Sequence, residues 1–164
     1  MKIALLQMTS GIDPAANART MTDAIAEAAA GGAAMLFTPE MSGLLDSDKA
    51  RAASSLFAEG DDPVLAAVQE AAAAHGIWVH LGSLAVKEEG GKLANRGFVI
   101  DAEGNIRAAT TSSICSTSIC RLARAGASRT PMRPARVRSW WRRRRVGSAS
   151  PSVTICASPT CSAH

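Results

Sequence analysis

The chain has 164 residues, long enough for one respectable core, and a formal net charge of +4. That average conceals two unlike parts. Residues 1–108 hold all 14 acidic residues, between Asp13 and Glu103, whereas residues 109–164 hold ten arginines and no Asp, Glu or Lys. No run approaches the roughly 18 consecutive apolar residues of a bilayer span, and MKIALLQM meets Asp13 too soon for a secretory leader, so a cytoplasmic protein without membrane association is expected.

Lys2 to Met8 reads KIALLQM, a short apolar run of the kind found in a strand buried within an α/β sheet. A helix follows. Asp13 can accept the free amide hydrogens of a first turn, Pro14 presets φ at the first helical position, and Met21, Ala24, Ile25 and Ala28 recur at helical spacing. Gly31 and Gly32 stop that run, and Ala34 to Thr38 forms a second buried strand leading straight into Pro39 and Glu40. Asp62 and Pro63 repeat the cap and proline ahead of Val64, Leu65, Val68 and Ala72, with Gly76 closing the helix. Ile77 to Val86 reads as a third strand and Ala94 to Ile100 as a fourth, with Asp101 to Asn105 as a turn. Strands alternating with helices predict βαβ units and an α/β fold of helices layered on a sheet.

In open α/β sheets ligands bind beyond the carboxyl ends of strands, and Glu40 stands at such an end, which makes it the first candidate for chemistry. The competing reading is a carboxylate that caps or braces a loop. His80, inside an apolar strand, reads as a hydrogen-bonded core histidine, and His75, just before Gly76, as a C-terminal cap. The glycine pairs at 31–32 and 90–91 lack the G-x-G-x-x-G pattern of a dinucleotide site. Cys115 and Cys120, like Cys156 and Cys161, are five apart rather than in a C-x2-C zinc spacing. No metal and no cofactor are expected.

Four stretches, KIALLQM, MLFTPEMSG around Glu40, IWVHLGSLAV and LANRGFVIDAEGNIRA, stand in the order and spacing of the nitrilase superfamily of carbon-nitrogen hydrolases, which residues 1–108 resemble. The resemblance implies the first half of a four-layer α-β-β-α sandwich, an enzyme that is usually homo-oligomeric, and a small-molecule amide or nitrile as substrate. It implies Glu40 as general base, working with a lysine just after the N-R hairpin and a cysteine nucleophile that carries a covalent thioester. All three groups are needed, because a thiol is a weak nucleophile until a base takes its proton and the tetrahedral oxyanion needs a cation. The family pattern calls for Tyr-Asp-Lys directly after Arg107, but the chain reads Ala108, Ala109, Thr110, Thr111, Ser112.

Translation out of frame over residues 109–164 would account for this break. Ala109 to Ser112, written GCT-ACG-ACA-AGC and read one base earlier, contains TAC-GAC-AAG, which is Tyr-Asp-Lys. Residues 114–136 similarly permit HLFDVDLPTGESWRESNAYAPG, and residues 150–163 permit LSICYDLRFPDLFSA. One lost base near Ala108 would explain the arginine and serine excess and the missing acidic residues together. The nucleophile codon then straddles Ser152 and Val153, so Cys156 is not the catalytic cysteine. The recovered peptides resemble the amidase branch that acts on small ω-amides and deaminated-glutathione-like substrates.

The chain is therefore expected to divide into a partial carbon-nitrogen hydrolase domain, 1–108, and a disordered or poorly packed Arg/Ser-rich tail, 109–164, and to be truncated and inactive as written. A rival class is a basic nucleic-acid-binding protein, since Arg138, Trp140, Trp141 and Arg142 to Arg145 combine cations with stacking rings. A frame shift would explain those arginines without nucleic acid, so no nucleic-acid partner is expected.

Overall fold

The computed structural model describes residues 1–113 and 151–157. Six strands form one mixed sheet: β1 (Lys2–Gln7), β2 (Met35–Phe37), β3 (Trp78–Lys87), β4 (Leu93–Ile100), β5 (Ile106–Ser113) and β6 (Ser152–Ala157), in spatial order β5-β4-β3-β2-β1-β6. Pairs β1–β2 and β2–β3 are parallel because a helix crosses over between their members, α1 (Pro14–Ala30) and then α3 (Pro63–His75). The remaining pairs are antiparallel. A short helix, α2 (Lys49–Ala53), lies in the connection between β2 and α3.

Both long helices start as the sequence predicts. Asp13 Oδ1 accepts from the amides of Ala15 and Ala16 at 2.9 and 3.3 Å, and Asp62 Oδ1 accepts from those of Val64 and Leu65 at 2.8 and 3.0 Å, with a proline following each aspartate. Asp62 is buried, and that burial raises its carboxyl pKa even though the two cap hydrogen bonds favour the charged form. Gly76 ends α3 in the left-handed region at φ 61°, which glycine adopts freely. Asn17, in the second turn of α1, ties two loops to that helix. Its Nδ2 donates to the carbonyls of Gly11 and Gly43, each at 2.9 Å, and its Oδ1 accepts from the Gly11 amide at 2.9 Å.

Met21, Ile25 and Ala28 of α1 and Val68 and Ala72 of α3 share one core with Ala4, Leu36, Val79, Leu81, Phe98 and Ile100 of the sheet. Burying each large member stabilises the fold by about 1.5–3 kcal/mol. Period-2 alternation sends their neighbours to the other face, where Ile3, Met35 and Trp78 lie in one cross-strand row and Leu5, Phe37 and His80 in the next, all half-buried or exposed. His80 is thus not the core histidine expected from its strand. Its ring lies 5.3 Å from that of Phe37 on the less buried face.

Strand pairing continues past the change in composition at residue 108. β5 follows β4 to Ser113, and Ser152–Ala157 runs antiparallel along β1 from Gln7 to Lys2. Val153 packs against the core, and Ile155 lies over Gly31 at the end of α1. Ladders use backbone groups, and Thr110, Thr111, Val153, Thr154 and Ile155 are β-branched, so these segments suit open edges whatever their reading frame. The remaining tail, including Arg138, Trp140, Trp141 and Arg142 to Arg145, lies outside the described residues. Among the described residues no helix is long and apolar enough to cross a membrane, and no cluster of His, Cys, Asp or Glu could hold a metal.

Candidate active site

The chain leaves β2 through a tight elbow, Thr38 to Ser42, pinned against β3. The Thr38 amide donates to the His80 carbonyl at 3.0 Å, extending the β2–β3 ladder, and the Gly82 amide donates to Thr38 Oγ1 at 3.1 Å. Thr38 Oγ1 and Ser42 Oγ are hydrogen-bonded at 2.9 Å, and the Ser42 hydroxyl also donates to the Pro39 carbonyl. Met41 has φ 54°, a conformation that costs a non-glycine residue about 1–3 kcal/mol. Ser83 holds it there: its Oγ accepts from the Met41 amide at 2.8 Å, and its carbonyl accepts from the Ser42 amide at 3.0 Å.

The elbow sits on a break in the β3–β4 register between Leu81 and Leu84. Gly82 lies in that break, and a Cβ there would stand 2.4 Å from the Pro39 carbonyl oxygen and 2.5 Å from that of Thr38. Gly97 of β4 backs it, since a Cβ at Gly97 would stand 2.7 Å from the Gly82 carbonyl oxygen. Two glycines therefore let three stretches of backbone meet closely under Glu40.

Glu40 is exposed at the tip of this elbow, beyond the carboxyl end of β2 as the sequence reading places it. Its Oε1 accepts a 2.7 Å hydrogen bond from Nδ2 of Asn95 on β4. Sequence reasoning singled out Glu40 but gave Asn95 no role. The one available signal was the polar pair Asn95 and Arg96 in a strand whose other residues are apolar or glycine.

Among the described residues Glu40 makes no ion pair. Arg96, next along β4, is engaged by Glu59 and Glu88, and its Nε donates to Thr111 Oγ1 at 2.8 Å. Cys156 is free, but it stands opposite Ile3 at the amino end of β1, whereas Glu40 follows the carboxyl end of β2. Met35 is level with Ile3, and the three residue steps from it to Thr38, where the elbow begins, already span about 10 Å, too far for direct proton transfer. Cys115, Cys120 and Cys161 lie outside the described residues.

A protein-family description, carbon-nitrogen hydrolase, matches residues 2–121. No curated protein matches the chain. Among solved structures, the C. elegans NitFhit protein is 28% identical with a TM-score of 0.61, covering 68% of this chain and 27% of that one. A glutamate-to-glutamine mutant of the amidase from Nesterenkonia sp. AN1, showing the result of Michael addition of acrylamide at the active-site cysteine, is 27% identical with a TM-score of 0.60, covering 68% and 44%. A cysteine-to-alanine mutant of the same amidase, in complex with butyramide, is 28% identical with a TM-score of 0.59, covering 68% and 42%. The chain thus spans less than half the length of these structures.

Proposed function

The chain belongs to the carbon-nitrogen hydrolase family, and we propose that Glu40 is the general base of a small-amide hydrolase whose lysine and cysteine are encoded in the gene but lost to a shift of reading frame. Inserting one base between the codons for Ala108 and Ala109 permits lysine at position 112 and cysteine at position 153, with third bases chosen as above. The observation that carries this reading is a register the codons knew nothing about. Position 112 lies directly opposite Asn95, the residue that holds Glu40. The missing cation would therefore arrive beside the base, where an oxyanion could be held by one and a proton taken by the other.

In the restored site the Glu40 carboxylate takes the thiol proton and the sulfur attacks the amide carbonyl carbon. The lysine ammonium stabilises the oxyanion, Glu40 returns the proton to departing ammonia, and a thioester remains. Water, deprotonated by Glu40, then attacks that thioester, releasing the carboxylic acid and the thiol. A small aliphatic amide suits a family neighbour seen with butyramide. The ω-amide and deaminated-glutathione-like branch is the narrower proposal.

Resequencing the gene across codon 108 tests the frame. The function is tested by restoring the base, supplying the C-terminal half from a relative, and measuring ammonia release from butyramide and from ω-amides. Turnover supports the reading. A restored protein that folds but releases no ammonia from any of them overturns it.

A further inference from the structure

Asn95 makes one hydrogen bond with its side chain and leaves the other half of the amide unused. Its Nδ2 donates to Glu40, while its Oδ1 is enclosed and has no hydrogen-bond partner among the described residues. A buried acceptor without a donor is rare in a folded chain. The amide cannot relieve this by turning over, because that would set its carbonyl oxygen against the Glu40 carboxylate and enclose the NH2 group instead. Glu40 thus fixes which way the amide faces, and a free acceptor is left on its other side.

We infer that Asn95 is a positioning residue for Glu40, and that its Oδ1 is completed by a donor from position 112 on β5. The inference rests on the frame-shift reading for the identity of that donor. Asn95 and position 112 are directly opposed in the antiparallel β4–β5 pair. Opposed Cβ atoms stand about 4.5–5.5 Å apart on one face, and a lysine carries three donors on a stem long enough to span that gap. The Asn95 amide would then tie base and cation together through one planar group, at a fixed separation, without touching substrate.

The 164-residue chain itself tests the link, with no activity required. Ser112→Lys is expected to raise Tm by at least about 3 °C, the shift of one added charge-assisted hydrogen bond. It should also move the NMR signal of the Asn95 side-chain carbonyl carbon. The Tm gain should vanish when Asn95→Leu is combined with it, and Ala108→Lys, opposite Val99 on the same strand, should produce neither effect. An unmoved carbonyl signal, or an equal Tm gain with and without Asn95, overturns the inference. In the frame-restored enzyme Asn95→Leu should lower kcat at least tenfold with KM within twofold. If Asn95→Leu keeps its kcat while Glu40→Gln is inactive, the positioning role falls and the base stands. If Glu40→Gln keeps its turnover while the Ser112→Lys link holds, the base falls and the link stands.

Discussion

Gly82 lies so close beneath Pro39 that a single methyl group on its α-carbon would stand 2.4 Å from the Pro39 carbonyl oxygen, well inside van der Waals contact. The obstacle would be backbone and not a flexible side chain, so the elbow that carries Glu40 would have to lift. Gly82→Ala is therefore expected to destabilise the chain by about 1–3 kcal/mol and to weaken the Gly82 amide bond to Thr38 Oγ1. Urea unfolding with the amide exchange rate of Gly82 checks this, and unchanged values would mean that the elbow tolerates the shift.

Glu40→Gln keeps the shape of the side chain and its acceptor toward Asn95 but cannot take a proton. In the frame-restored enzyme kcat should fall by about 100- to 10,000-fold with Tm nearly unchanged. Steady-state kinetics on butyramide measures the first and thermal unfolding the second. A variant that retains most turnover and loses thermal stability would instead make Glu40 a loop brace.

The chain as written should release no ammonia from amides above background, because Cys156 lies at the opposite end of the sheet from Glu40. Any background should be unaltered by Cys156→Ala. Turnover that disappears with that substitution would contradict the placement of the site.

Asp62 predicts a pH dependence of stability. Burial raises its folded-state pKa, so the protonated form is the one folding favours. The stability tied to this group is full below the ordinary carboxylate pKa and is lost as pH rises through the folded value. Asp62→Asn retains a side-chain oxygen for the Val64 and Leu65 amides without the buried charge. It should stabilise the chain at pH 7, with the gain shrinking toward pH 3. Urea midpoints at both pH values check the sign, and Asp62→Ala, which loses the cap, should cost about 1 kcal/mol at pH 3 and less at pH 7, where the buried charge it removes is present.

Elements with their own local signals were legible in the sequence. Asp13 with Pro14 and Asp62 with Pro63 announce helix starts, Gly76 announces an end, and Glu40 stands out because Pro39 follows an apolar strand. What escaped depends on partners far along the chain. Asn95 acquires meaning only through Glu40, 55 residues away, and Gly82 only through the backbone folded over it. The left-handed Met41 has no sequence mark, since methionine is an ordinary residue that Ser83 forces into place. β6 was illegible for another reason: an edge strand is recruited by a vacant neighbour, and nothing within Ser152–Ala157 names β1 as that neighbour.

Asn17 holds the loop after β1 through Gly11 and the loop after Glu40 through Gly43, both with one amide group. Two loops moored to the same post cannot be exchanged independently. Grafting the Glu40 loop from a relative would therefore need a compatible residue 17 and a compatible Gly11 segment, transplanted as a set of three separate pieces of sequence.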